Sequence, residues 1–549
     1  MEIFEGKSVF EGIAIGKLRV FRHETRNVTD APGEGLEAET EKFRSAREKA
    51  VSALRELCKN ARETIGESSA EIFEMHVMMT EDLDLEDAVM AKLAEGYNAA
   101  YAVEQAGFEL SQMFAQMDDA YMKARSVDVL DVSGRIRDCI LGIDSNTVSL
   151  EEPSILSGSD FTPSEVVQLD KSKLLGFVTT FGSDNSHTAI LARTMSLPSV
   201  VNTGVTLSNA LDGALAIVDG FKGKVFVSPD EETLNAYRAK QESLRMERER
   251  LLSLKEEKSV TLDGKQTKLF CNIGKSDECA LAIENGAEGI GLFRSEFLYL
   301  EANDYPDEQT QFEEYKAAVE RLASSPVVIR TMDIGADKQA AYFNLPHEEN
   351  PALGYRSIRI CFDRPEILKT QLRALYRASA FGDLKVMIPM ITAVEEVRFV
   401  RSVAEEVKAE LTAEGIAFDD KMQIGIMIET PAAALVADEL AKEADFFSVG
   451  TNDLTQYTLA IDRQNQNLEQ FYRPRHKAIL RLIKYAADCI HAEGKWIGIC
   501  GELARDLELT EFFLKIGMDE LSVSPPYVLK LREKIRTVDT TKVDLDRYV

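Results

Sequence analysis

The sequence predicts a multidomain α/β protein: a compact α/β domain interrupted by a helical bundle, then a linker helix, then a closed (β/α)8 barrel. Three observations carry this. Residues 35–143 repeat apolar side chains at helical spacing with little Gly or Pro, as at Phe43, Ala46, Ala50, Leu54 and Leu57. Residues 231–258 are dense in charge and free of both breakers. Beyond them, short apolar runs alternate with helical segments to the end of the chain.

In order, residues 12–22 (GIAIGKLRVFR) read as a strand and lead into the helical stretch. From about 145 to 229 the pattern changes to short apolar runs, LLGFVTTF (174–181), ALAIVDG (214–220) and KVFVSP (224–229), punctuated by Gly and Pro. This is a compact α/β unit completed by the strand at 12–22. The run 231–258 reads as a long, largely exposed helix suited to linking two bodies. Eight barrel strands follow, at 268–273, 289–293, 327–331, 385–390, 423–428, 446–450, 496–500 and 520–523.

Composition narrows the function. Of 549 residues, 45% are apolar and 29% charged, which excludes a mostly disordered chain. The length itself suggests about three or four domains. The formal net charge of −29 disfavours nucleic acid and suits a basic protein partner. No apolar run is long enough to insert in a membrane, and the N-terminus has no secretion signal. Seven cysteines without a CxxC pair fit a reduced, cytoplasmic protein without structural zinc.

In a barrel of this kind the active site lies at the C-terminal ends of the strands. There the sequence places Arg294 and Glu296, then Arg330, Asp333 and Lys338. Further on come Glu429, Asn452 and Asp453, Arg463, and Cys500 with Glu502. Arginine forks match phosphate and carboxylate oxygens, and paired carboxylates suit a hard Mg2+. The pattern therefore fits either a phosphorylated, carboxylated substrate held with a divalent metal, or structural ion pairs around the rim. A second constellation is GSDNSHTAILAR (182–193), in which His187 opens a helix beside unpaired N–H groups. His187 is either a nucleophile or a surface residue at a helix start.

A third lies at 63–91, with nine acidic residues, no Lys or Arg, and Met75, Met78 and Met79 on one helix face. It reads as a solvated acidic face beside a core stripe, or as a docking surface with Glu81 and Asp82 at its edge. His76, on the same segment, reads as half-buried packing.

Several long stretches, among them SHTAILAR, GAEGIGLFRSEFLY, IRTMDIGADK, ENPALGYRSIR, IMIETPAA, FFSVGTNDLTQYTLAIDR and GICGELA, closely resemble the enzyme I family of the bacterial sugar phosphotransferase system. The resemblance runs nearly end to end. It implies a swivelling phosphohistidine α/β domain at 1–30 and 144–229 and a helical insert at 31–143 that docks a small histidine-containing phosphocarrier protein. It further implies a linker helix at 230–259 and a phosphoenolpyruvate-binding barrel at 260–549 that forms the homodimer. Residue by residue, His187 accepts the phosphoryl group. Arg294, Arg330, Arg356 and Arg463 bind phosphoenolpyruvate with the Asn452–Asp453 pair. Glu429 and Asp453 hold Mg2+, and Cys500 protonates the enolate to pyruvate. The chain departs from the family's usual turn before the histidine at Ser183, Asp184 and Asn185, and Ala336 stands where glycine is usual. Pyruvate phosphate dikinase and phosphoenolpyruvate synthase share the swivelling domain and the barrel. They also need a nucleotide-binding domain for which this chain has no room. A regulatory protein that only senses phosphoenolpyruvate would not need the intact His187, Glu429, Asp453 and Cys500.

Overall fold

The structure is a computed structural model. It describes residues 1–549 except 22–27, 65–66, 117–124, 144–149, 160, 162–168, 183–186, 196, 205–210, 324, 336–337 and 339. The side chains of 60–64, 67–72, 171, 187, 190–191, 194, 466 and 469 are also outside the described set. The departures at Ser183, Asp184, Asn185 and Ala336 fall there. The chain divides into two compact units, Met1–Met246 and Glu247–Val549, fewer than length alone suggests.

The first unit combines a sheet and a helical insert with separate cores. Eight strands, β1 (Glu2–Glu5), β2 (Lys7–Phe10), β3 (Ile13–Val20), β4 (Ser154–Gly158), β5 (Leu174–Thr179), β6 (Ser199–Val201), β7 (Leu215–Asp219) and β8 (Lys224–Val227), form one sheet in the order β1-β8-β7-β3-β4-β5-β6-β2. It is mixed: β3, β4, β5 and β6 run parallel, and the other pairings are antiparallel. Ala14, Leu18, Ile155, Val178, Val200 and Val218 fill one core of the sheet. Between β3 and β4 come α1 (Leu36–Thr64), α2 (Glu67–Thr80), α3 (Leu83–Ala94), α4 (Ala99–Ala115) and α5 (Ser126–Leu141). Their core holds Phe43, Ala46, Ala50, Val89, Val103, Val132 and Ile136, the first three from the helical spacing that predicts the bundle, while Leu54 and Leu57 pack with Cys58 and Phe73. After β5 comes α6 (His187–Thr194).

The helix read at 231–258 is α7 (Glu231–Leu252) and ends earlier. The carbonyls of Leu254 and Lys255 are taken by the buried guanidinium of Arg532, so this backbone is committed to a tertiary contact instead of to another helical turn. No Gly or Pro marks that stop. Nor is α7 simply exposed: Leu234, Tyr237 and Leu244 pack on Ile13, Ile217 and Phe226 of the sheet.

The second unit is a closed barrel of eight parallel strands. They are β9 (Lys268–Ile273), β10 (Ile290–Arg294), β11 (Val327–Arg330), β12 (Leu384–Ile388), β13 (Ile424–Ile428), β14 (Phe446–Val449), β15 (Trp496–Ile499) and β16 (Glu520–Val523), and β16 returns to pair with β9. Residues alternate along each strand. Ile426, Ile428, Phe447, Val449, Ile497 and Ile499 face the surrounding helices. Leu292, Val328, Met387, Met427, Phe446 and Cys500 fill the interior, with Trp496 stacked on Phe446 at 4.5 Å between ring centroids. Among the described residues no helix is long and apolar enough to cross a membrane.

Candidate active site

Parallel pairing brings the C-terminal ends of all eight strands to one mouth, where a cavity of about 1130 Å3 opens. Arg294 and Arg330 are the last residues of β10 and β11. Glu429 follows β13, Cys500 follows β15, and the helix Thr451–Leu459 after β14 carries Asn452 and Asp453 in its first turn. Six of these expected residues line the cavity, and Arg463 joins them. Arg356 does not line it. It is buried behind the wall, with one nitrogen on Asp333 at 2.8 Å and the other on the Tyr457 hydroxyl at 3.1 Å.

Behind the mouth lies a buried charge network. Arg330 pairs with Glu296 and sits 3.3 Å from Asp333, and Lys338 reaches Glu296 at 2.7 Å and Asp333 at 3.2 Å. Ser357 also donates to Asp333, from a backbone held at φ 52°. Burying charges costs several kcal/mol each, and the cost is tolerable only when partners are in place. Here they are. Burial alone would raise the Glu296 and Asp333 carboxyls, but Arg330 and Lys338 outweigh it and hold both below their usual range. Burial opposes the Arg330 charge, and Glu296, Asp333 and Glu429 more than restore it. Among the described residues no ion pair engages Arg294, so its guanidinium faces the cavity free to bind a ligand.

Glu429 and Asp453 differ from those acids. Glu429 is fully buried, and its Oε1 accepts the Met390 N–H at 2.6 Å, with Met390 held at φ 59°. Burial, then the charges of Asp453 and Asp333, push its carboxyl up to about 8. Gly450 lets the next strand pass close: a Cβ there would lie 2.9 Å from Glu429 Oε2. Asp453 Oδ2 is 3.3 Å from Arg463, while its Oδ1 is buried without a hydrogen-bond partner. A buried acid whose charge a neighbouring acid makes costly, with one oxygen of that neighbour lacking a hydrogen bond, fits a hard divalent cation.

Cys500 is 4% exposed, and burial pushes its thiol up to about 12, so it keeps its proton at neutral pH. Asn452 Oδ1 accepts the Glu502 N–H at 3.1 Å, tying the loop after β15 to the helix after β14. None of the seven cysteines forms a disulfide.

In the first unit, α6 begins at His187, whose side chain is outside the described set. The next residue, Thr188, is buried and its hydroxyl accepts the Phe161 N–H at 3.0 Å, which anchors the helix start. In the helical insert the methionine stripe divides. Met78 is 71% exposed, Met75 is half-buried, and Met79 packs on the bundle core. Glu81 pairs with Arg55 at 3.1 Å and Glu86 with Arg47 at 2.7 Å, so α1 supplies cations that the acidic stretch itself lacks. Asp82 is the N-cap of α3, accepting the Asp84 N–H at 2.8 Å. His76 is fully buried, 3.2 Å from Asp128 and 3.5 Å from Asp131 of α5, not half-buried as the sequence suggests.

Sequence reasoning missed Asn272, Met427 and Tyr457, which touch the site from inside the wall. Each stands in an ordinary strand or helix pattern, and only the closure of the barrel brings them in.

A closed parallel barrel whose mouth combines arginines, two neighbouring carboxylic acids and a protonated thiol defines an enzyme for a small anionic substrate. Three family models match the chain. Residues 248–540 match the phosphoenolpyruvate (PEP)-binding domain of PEP-utilising enzymes, 5–125 their N-terminal domain and 150–223 their mobile domain. Over 547 residues the chain is 40% identical to the phosphoenolpyruvate-protein phosphotransferase of Priestia megaterium, covering 99% of this chain and 95% of that protein. It is 43% identical to that of Haemophilus influenzae over 535 residues, 96% and 92% of the two chains. A solution NMR structure described as Enzyme I covers 44% of this chain and 99% of its own at 36% identity, with a TM-score of 0.39. The chain is an enzyme and belongs to the phosphoenolpyruvate-protein phosphotransferase family.

Proposed function

We propose that the chain transfers the phosphoryl group of phosphoenolpyruvate to His187, releases pyruvate, and passes the group to a small histidine-containing phosphocarrier protein. The observation that carries this reading is the cavity that joins Arg294, Arg330 and Arg463 to Glu429, Asp453 and Cys500. Phosphoenolpyruvate has a phosphate, a carboxylate and a latent enol, and this set has a partner for each.

Arginine 294 is the free cation for the transferring phosphoryl oxygens, and Arg330 is held rigid by Glu296 and Asp333 so that little reorganisation is needed. Arg463, at the cavity edge, serves the same anion. Arg356 acts one step back, by fixing Asp333 and Tyr457. Glu429 and Asp453 would hold Mg2+, which supplies charge stabilisation to the bound anion. The His187 ring nitrogen takes phosphorus, the bond from phosphorus to the enol oxygen breaks, and the enolate of pyruvate is left. Cys500 gives its proton to carbon three, which completes pyruvate. A buried thiol that stays protonated at neutral pH is a ready donor.

Met78, with Met75, Met79, Glu81 and Asp82 around it, is our candidate docking surface for the carrier. Met78 and Leu83 are the exposed apolar residues at that edge. Seven cysteines outside any disulfide fit a cytoplasmic setting, and by likeness to its family we assign homodimerisation to the barrel. The test is incubation with phosphoenolpyruvate and Mg2+. One pyruvate per chain and one acid-labile phosphate on the protein are expected, reversed by excess pyruvate. Pyruvate formation with no protein-bound phosphate would overturn the reading.

A further inference from the structure

Beneath the mouth, inside the barrel, lies a second carboxylic acid. Glu520 opens β16 and is 3% exposed. It pairs in register with Gly498 of β15, and Gly498 pairs with Ser448 of β14. One row of the wall therefore reads Ser448, Gly498, Glu520. Cys500 stands two residues above Gly498 on the same inward face, about 6–7 Å higher.

The barrel is built around this carboxyl. A Cβ on Gly498 would fall 1.8 Å from Glu520 Oε2, and one on Gly291 of β10 would fall 2.4 Å from Oε1. Glycine weakens a strand interior, and two strands accept that weakness to leave the group room. The group is also unpaired. Glu520 Oε1 and Ser448 Oγ are buried without hydrogen-bond partners, and among the described residues no cation pairs with Glu520. A buried, unsatisfied acid costs stability that an apolar residue of similar size would not. Burial holds the carboxyl well above its usual range, and Asp519 adds to that, which favours the form that carries a proton.

The polar path from this acid leads to Cys500. Gly498 has no side chain to separate Ser448 from Glu520, and the Cys500 thiol donates to the carbonyl of Val449, the residue next to Ser448, at 3.8 Å. The row above is closed: Ser522 Oγ donates to Asn272 Oδ1 at 2.7 Å, and Asn272 Nδ2 donates to the Cys500 carbonyl at 2.9 Å.

We propose that Glu520 is the proton reserve of Cys500, returning a proton through the Ser448 hydroxyl to the thiolate left after each turnover. The proposal rests on the reading of Cys500 as the donor to the enolate. The step balances. The Ser448 O–H proton moves to sulfur, forming S–H, while the Glu520 carboxyl proton moves to the Ser448 oxygen. The Glu520 carboxylate then takes a proton from water at the end of the barrel where β16 begins, beside the half-exposed Asp519. Glu520 acts through Cys500 and never meets the substrate, so it is a positioning residue for the proton. This gives the reaction a proton supply from the end of the barrel opposite the substrate mouth.

The test uses the full-length chain with Mg2+. Exchange of the pyruvate methyl hydrogens with D2O is followed by NMR, beside first-turnover phosphorylation from phosphoenolpyruvate. Glu520→Gln keeps the shape but not the acid. It should slow exchange and steady-state turnover about tenfold or more while first-turnover phosphorylation stays within about twofold, and Glu520→Asp should recover part of the loss. Unchanged exchange, or an equal fall in first-turnover phosphorylation, would overturn the proposal. Should Glu520→Gln fail to fold, Ser448→Ala must give the same split, and normal exchange in it would overturn the proposal. Absence of phosphorylation in the unsubstituted chain would instead sink the reading of the reaction itself.

Discussion

In the proposed reaction the barrel mouth and the start of α6 carry two halves of one chemistry in opposite ways. The mouth is distributed: its residues run from Arg294 to Cys500 and come from the ends of five strands. Arg330 and Lys338 are held by buried acids before any ligand arrives, while Arg294 is left to the cavity. The other half is local, one histidine at the first position of an eight-residue helix. A distributed site is rigid because each charge depends on several others, and it fails as a unit. A local site depends on one turn of chain and can be presented to two different partners in succession.

The strongest way to break that contrast is Arg330→Met. It leaves Glu296 and Asp333 buried without their main cation, which should cost the barrel about 3–5 kcal/mol and remove turnover. Trp496, the single tryptophan, lies in the barrel, so its fluorescence during urea unfolding reports this unit specifically. A barrel as stable as the unsubstituted one would mean that the network is not what holds the mouth.

Next in size, Cys500→Ala should slow pyruvate formation about a hundredfold with a smaller change in the rate of phosphorylation. Rapid-quench measurement of both products separates the two. Equal slowing would make Cys500 a packed thiol only.

The acids at the mouth predict an effect of pH. Because the folded-state Glu429 carboxyl is raised to about 8 from its ordinary 4.5, the metal-free native state binds more protons than the unfolded state between those values. Its stability therefore falls as pH rises from 5 to 8. Asp333 and Glu296, held below their usual range, titrate under that window and do not cancel it. The barrel Tm should drop by roughly a few degrees across the window, and Mg2+ should restore it at pH 8 more than at pH 5. Glu429→Gln should weaken the dependence and leave the part that the raised Glu520 carboxyl contributes in the same direction. An equal Mg2+ effect at both pH values would remove Glu429 from the metal site.

The smallest effect belongs to the helical insert, where the proposed docking surface lies. Met78→Ala and Glu81→Lys should slow transfer to the carrier about threefold to tenfold and weaken its salt dependence, with autophosphorylation unchanged. Asp82 is unsuitable for this test, because losing the α3 N-cap would cost about 1 kcal/mol by itself. Unaltered transfer kinetics would place docking elsewhere.

The same contrast governs what the sequence discloses. All eight barrel strands are legible because each is a short apolar run between helices, and the rim residues follow from the rule that chemistry sits at strand ends. The sheet is harder. β1, β2, β4 and β6 span three to five residues with Ser, Lys or Glu among them, so no alternation marks them. Arg356 carries the same charge as its neighbours, and only packing separates a cation that supports the wall from one that faces the cavity. Glu296, Asp333 and Lys338 are visible as rim charges, but their mutual pairing is a product of barrel closure. His76 reads only as half-buried packing and Glu520 as an ordinary strand start, since burial by a distant element leaves no local pattern.

The central claim is that the phosphoryl group passes from the barrel mouth to His187. The most direct measurement is incubation with isotopically labelled phosphoenolpyruvate and Mg2+, followed by peptide mapping under alkaline conditions. The label should sit on His187, and His187→Ala should take up none while its barrel still binds phosphoenolpyruvate. Label on any other residue, or label retained in His187→Ala, would contradict the account.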